Sequence, residues 1–87
     1  MTWRIEFTPP AAKTLRKLDR PSRQKVVGYL DALLESCSSP RDRGQGLTAN
    51  LSGFWRYRIG DLRLICKIRD QELIVLVVEI GHRSRVY

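Results

Sequence analysis

Two alternating runs, Trp55-Arg56-Tyr57-Arg58-Ile59 and Leu62-Arg63-Leu64-Ile65-Cys66, are separated only by Gly60-Asp61. A two-residue connection containing glycine closes a tight β-hairpin, and the turn fixes the register of both strands. Ile59 then faces Leu62, and Arg58 faces Arg63. Trp55, Tyr57, Ile59, Leu62, Leu64 and Cys66 share one face, while Arg56, Arg58, Arg63 and Ile65 share the other. Like charges directly opposite each other destabilise a sheet. A chain that sets Arg58 against Arg63, with Arg56 beside them, is expected to use the group to hold an anion.

The rest of the chain supplies a frame for that hairpin. Trp3, Ile5 and Phe7 alternate with Arg4 and Glu6, which predicts a strand over 3–8. Thr8 followed by Pro9 reads as a helix cap and first turn. Ala11, Ala12, Leu15 and Leu18 then recur at helical spacing, predicting a helix over 9–18, with Lys13, Arg16, Lys17 and Arg20 on its other face. Asp19-Arg20-Pro21 opens a second helix over 21–37, with a stripe of Val26, Val27, Leu30, Leu33, Leu34 and Cys37. Residues 38–52 are rich in Ser, Pro, Gly, Asp and Asn and read as a loop. Strands follow over 54–59, 62–69 and 73–80, the last apolar almost throughout and ended by Gly81. The order β-α-α-β-β-β predicts an α+β fold in one domain spanning 1–87. A two-helix hairpin packs on one face of a mainly antiparallel four-stranded sheet, and the first strand lies beside the last.

Sixteen Lys and Arg against nine Asp and Glu give 87 residues a net charge of +7. Such an excess suits a polyanionic partner, with nucleic acid the leading candidate. The N-terminus carries no apolar signal segment, and the Leu73–Val78 run is far too short to span a bilayer. A cytoplasmic protein without a membrane partner is expected, with Cys37 and Cys66 reduced.

The acids are scattered and His82 is the sole histidine, so neither a metal site nor a small-molecule cofactor is expected. Cys66 points to the core on the predicted register, which argues against a Cys-His nucleophile. The last strand runs antiparallel to its neighbour and brings Gly81-His82-Arg83, with Tyr87 beyond, towards Arg58 and Arg63. Arginines stabilise charge developing on a phosphoryl group, and His82 or Tyr87 can move a proton. Without a metal to activate water, a phosphodiesterase must find its nucleophile elsewhere. RNA carries one in its 2′-OH. The implied chemistry is transesterification to a 2′,3′-cyclic phosphate and a 5′-OH, although binding modules also carry arginine clusters. Trp55 and Tyr57 are expected in the core rather than as platforms for bases.

Leu51-x-Gly53, then Arg56-x-Arg58-x-Gly60-Asp61-x-Arg63-Leu64-Ile65, then Glu79-Ile80-Gly81-His82-Arg83 and Val86-Tyr87, resembles the RelE/ParE toxins of bacterial type II toxin–antitoxin systems. The resemblance covers essentially the whole chain. RelE-like members are ribosome-dependent mRNA endonucleases, whereas ParE-like members poison DNA gyrase and generally lack the catalytic set. By position, Arg56 and Arg58 match the paired basic residues of the RelE-like enzymes, Arg63 the arginine opposite them, Arg83 the arginine after the last strand, and Tyr87 the C-terminal tyrosine. Leu62 and Cys66 depart from the aromatic residues often found at their positions. The resemblance implies a RelE-like mRNA interferase with a cognate antitoxin, acting on mRNA held by the ribosome. Its phosphate-binding and catalytic residues would be Arg56, Arg58, Arg63, Arg83 and Tyr87, with His82 a lesser candidate. Lys13, Arg16, Lys17 and Arg20 would contact ribosomal RNA phosphates. A gyrase inhibitor and a non-catalytic RNA-binding module are the alternatives.

Overall fold

The computed structural model describes residues 2–84, so the expectations for Tyr87 lie outside it. The chain runs β1 (Arg4–Phe7), α1 (Pro9–Lys17), α2 (Arg20–Ser36), β2 (Gln45–Gly46), β3 (Trp55–Ile59), β4 (Leu62–Arg69) and β5 (Ile74–His82). Two 3₁₀ turns, Pro40–Asp42 and Ala49–Leu51, flank β2. The Thr8 hydroxyl accepts a hydrogen bond from the Ala11 amide at 3.3 Å and caps α1, with Pro9 opening the helix. The sheet order is β1-β5-β4-β3-β2. β1 runs parallel to β5, and the other pairs are antiparallel.

The α+β class and the helix pair on one sheet face agree with the sequence, but the sheet has five strands rather than four. The added strand is Gln45–Gly46, inside the segment read as a loop. Two residues, one of them glycine, are too few to display a period-two pattern. The last strand also differs at both ends. It starts after Leu73, whose φ of 56° belongs to a turn, and it passes through Gly81 to His82 because Gly81 pairs with Arg63. It lies centrally, between β1 and β4.

Alternation along the hairpin determines where the core forms. Tyr57, Ile59, Leu64 and Cys66 turn towards the helices and pack with Ala11, Val26, Leu30 and Leu33. Val75, Val77 and Ile80 of β5 complete this layer. A register shift between Ile65 and Cys66 lets β5 hold both Val77 and Ile80 on the core side despite their odd spacing. Tyr57 is fully buried, and its hydroxyl donates to the Pro40 carbonyl at 2.6 Å. That bond ties the segment before β2 to the middle of β3.

Burial pushes the Cys66 thiol up to about 12 and raises the Tyr57 phenol above its ordinary range. Both groups keep their protons in the folded chain at a pH where the unfolded chain has begun to release them. Folding stability should therefore fall as pH climbs from about 9 towards 12. Denaturant midpoints measured across that range should decline, with a shallower decline in Cys66→Val. Tyr57→Phe should cost about 1–2 kcal/mol at neutral pH, since it leaves the Pro40 carbonyl without its buried donor.

Candidate functional site

Gly60 takes a φ of +57°, which a tight hairpin turn demands at its first position and which glycine adopts without strain. The register follows: Ile59 pairs with Leu62, Arg58 with Arg63, and Arg56 with Ile65. Arg56, Arg58 and Arg63 consequently lie on the face that the helices leave open. Arg63 is buried at 8% exposure, and its Nη1 donates to the carbonyls of Gly60 and Leu62 at 3.0 and 2.9 Å. Burial, then the charges of Arg58, Arg56 and Arg83, hold its guanidinium below the usual arginine range. It remains protonated at neutral pH nonetheless.

Arg83 reaches the same corner. Its amide donates to the Asp61 carbonyl at 2.7 Å, and its Nε lies 3.5 Å from the Asp61 carboxylate. The Asp61 and Glu79 carboxylates border the cluster, Glu79 standing opposite Ile65. Four guanidiniums within electrostatic reach of one another thus meet few counter-charges, an arrangement that favours a bound anion.

His82 does not join them. It pairs with Leu62, so its side chain shares the helix-side face, while Gly81 occupies the arginine side opposite Arg63. Period-two alternation forces this separation once β5 extends through Gly81. The His82 ring lines a cleft of about 530 Å³ with Leu18, Asp19, Ser22, Leu62 and Ile80, and its Nδ1 sits 3.1 Å from the Ser84 hydroxyl. The expected convergence of an imidazole with the arginines is therefore corrected. Lys13, Arg16, Lys17 and Arg20 are all exposed on the helices, across the sheet from the arginine face. The two basic groups form separate surfaces. Cys66 is sealed in the core and unsuited to nucleophilic attack. Among the described residues, no group of three His, Cys, Asp or Glu gathers as a metal site would require.

The structure adds residues to the site that sequence reasoning missed. Tyr29, Gly44 and Gln45 join Arg56 and Arg58 around a cleft of about 240 Å³. Gln45 pairs with Arg56 across β2 and β3, and its Oε1 accepts from Arg56 Nη2 at 3.0 Å. The Arg43 guanidinium lies 5.5 Å from the centre of the Tyr29 ring. Only the glycines flanking Gln45 hint at a special backbone there. Gly44 has a φ of +81°, and a Cβ on it would meet the Arg56 carbonyl at 2.5 Å.

Residues 5–87 match the family model described as the ParE toxin of type II toxin–antitoxin systems. The toxin RelG of Mycobacterium tuberculosis is 29% identical over 87 residues, covering 100% of this chain and 98% of the relative. The toxin–antitoxin complex RelBE2 of the same organism contains a similar chain, with a TM-score of 0.82 at 27% identity, covering 95% of this chain and all of that one. The intact Escherichia coli RelBE complex gives a TM-score of 0.69 at 21% identity, covering 94% and 96%, a likeness of fold.

Because Arg58 opposes Arg63, removing one charge should relieve repulsion. Arg58→Ala is expected to keep or raise the thermal midpoint, by at most a few degrees. The gain should shrink with added salt, as screening already weakens the repulsion. Thermal unfolding at two ionic strengths checks this.

Proposed function

The chain belongs to the toxin family of type II toxin–antitoxin systems, and we propose that it is a RelE-like mRNA interferase that cleaves RNA on the ribosome. The observation that carries this reading is the gathering of Arg56, Arg58, Arg63 and Arg83 on the sheet face opposite the helices. Arginine forks fit phosphate oxygens, and fixed cations stabilise the extra charge of a pentacoordinate phosphorus. The 2′-oxygen of the RNA attacks the adjacent phosphorus and gives up its proton to a base. The bond to the 5′-oxygen breaks, and that oxygen takes up a proton. The products are a 2′,3′-cyclic phosphate and a 5′-OH. With the His82 ring on the far face, Tyr87 is the proposed proton-transfer group.

Ribosome dependence draws on the second basic surface. Lys13, Arg16, Lys17 and Arg20 stand on the opposite side of the sheet, so one molecule can lie against ribosomal RNA while its arginine face meets mRNA. A cognate antitoxin is the expected protein partner, as in the toxin–antitoxin complexes formed by similar chains. Binding that covers the arginine face would silence the toxin. The ParE description of the matching family model favours a second reading, a DNA gyrase inhibitor that cuts nothing.

Arg63→Ala should slow single-turnover cleavage on programmed ribosomes by roughly 100-fold or more, the loss expected for one preorganised donor. Ribosome association should change far less, because other cations share that contact. Arg63→Lys should recover only part of the rate, since a lysine cannot form the two-pronged bond. Wild-type rates at saturation for Arg63→Ala would make Arg63 a docking residue. Reversing Lys13, Arg16 and Lys17 to Glu should weaken ribosome association and leave the fold intact. Its salt dependence should become shallower as phosphate contacts are lost.

A further inference from the structure

Arg56 is held in an incomplete bond. A guanidinium offers Nε and Nη2 as a parallel fork on one edge, matched to two oxygens of one phosphate. Here Nη2 donates to the Gln45 Oε1 at 3.0 Å, while Nε is buried and has no hydrogen-bond partner. One carboxamide oxygen therefore fills half of a two-oxygen site. An unmet buried donor is costly, and a ligand that satisfies it gains accordingly.

The placement of Gln45 is fixed by its surroundings. Its strand pairs with β3, and the Leu47 amide donates to the Phe54 carbonyl at 3.0 Å. On the other side the Trp55 indole donates to the Arg43 carbonyl at 2.8 Å. Gly44 lies so close to β3 that no side chain fits between them. Gln45 itself is exposed and lines the cleft shared with Tyr29 and Arg58. A side chain held this way can swing aside into solvent without moving its backbone.

We propose that Gln45 is a positioning residue that stands in for a phosphate oxygen on Arg56, aiming the guanidinium into the 240 Å³ cleft until an oxyanion displaces it. The ligand class is a phosphate monoanion or dianion, and the proposal rests on the reading that Arg56 meets a phosphate group. The exchange runs in the right direction. The bond to Gln45 is assisted by the guanidinium charge alone, whereas a phosphate adds its own charge and supplies both oxygens at once. Gln45 thus keeps the long Arg56 side chain ordered at a cost to binding of about one net hydrogen bond. Glutamate at the same position would fill both prongs and neutralise Arg56.

The test uses inorganic phosphate as the probe and the Arg56 Nε–H resonance as the readout, assigned by its absence in Arg56→Lys. Phosphate should shift that resonance in the wild type. Gln45→Ala should respond at roughly three- to tenfold lower phosphate, the release of about one net hydrogen bond. Gln45→Glu should need at least about tenfold more phosphate, because the pair must first be broken. Opposite effects of alanine and glutamate are not the mark of a merely structural residue. Equal affinities in the three proteins, or an Arg56 Nε–H that stays still as phosphate is added, would overturn the proposal. No RNA or ribosome enters this titration. A chain that cleaves no mRNA but shows the graded response refutes the nuclease reading alone.

Discussion

Arg58 and Arg63 face each other because two residues are all that separate their strands. The turn permits no slippage, and a shift of one residue would drive the arginines into the core and the aromatic residues into water. The apolar demand for burial therefore enforces the repulsion between the cations. Tyr57 and Leu64 form the pair immediately behind, and both are fully buried. The core holds the charges together, and their mutual repulsion favours an anion beside them.

The remaining elements support that hairpin from three sides. The helices cover its apolar face. β5 zips along β4 and delivers Arg83 to the turn, where Asp61 receives its amide. On the other flank, the segment between α2 and β3 is anchored at Pro40, Arg43 and Gly44, and so presents Gln45 to Arg56. The bidentate pair of Arg41 with Asp70, at 2.7 and 3.0 Å, ties this segment to the β4–β5 turn. As an exposed pair it contributes modestly to stability and serves mainly to orient the segment.

The hairpin, its register and its two faces were legible in the sequence because strict alternation around a short turn allows one arrangement. The helices were legible from apolar spacing and from prolines at their starts. The place of β1 beside β5 was suggested by the apolar run of the last strand, whereas the parallel direction of the pair was not legible there. The short β2 escaped notice because strand pairing there is set by contacts from distant residues, Tyr57 with Pro40 and Trp55 with Arg43. Gln45 and Tyr29 were missed for the same reason, as they reach Arg56 and Arg58 only through tertiary packing. The misplaced His82 has a simpler cause. Its nearness to Arg63 along the backbone was right, but one step along a strand reverses the side chain.

On the proposed reading, the arginine face holds an RNA phosphate undergoing attack by its own 2′-oxygen. The most direct measurement is to map cleavage of a defined mRNA on ribosomes incubated with the purified toxin and to determine the chemistry of the new ends. Fragments ending in a 2′,3′-cyclic phosphate, with a 5′-OH on the downstream partner, are the predicted result. Intact mRNA together with inhibited DNA gyrase would contradict this reading. Fragments with a 3′-OH and a 5′-phosphate would contradict it equally, since they require water rather than the 2′-oxygen as nucleophile.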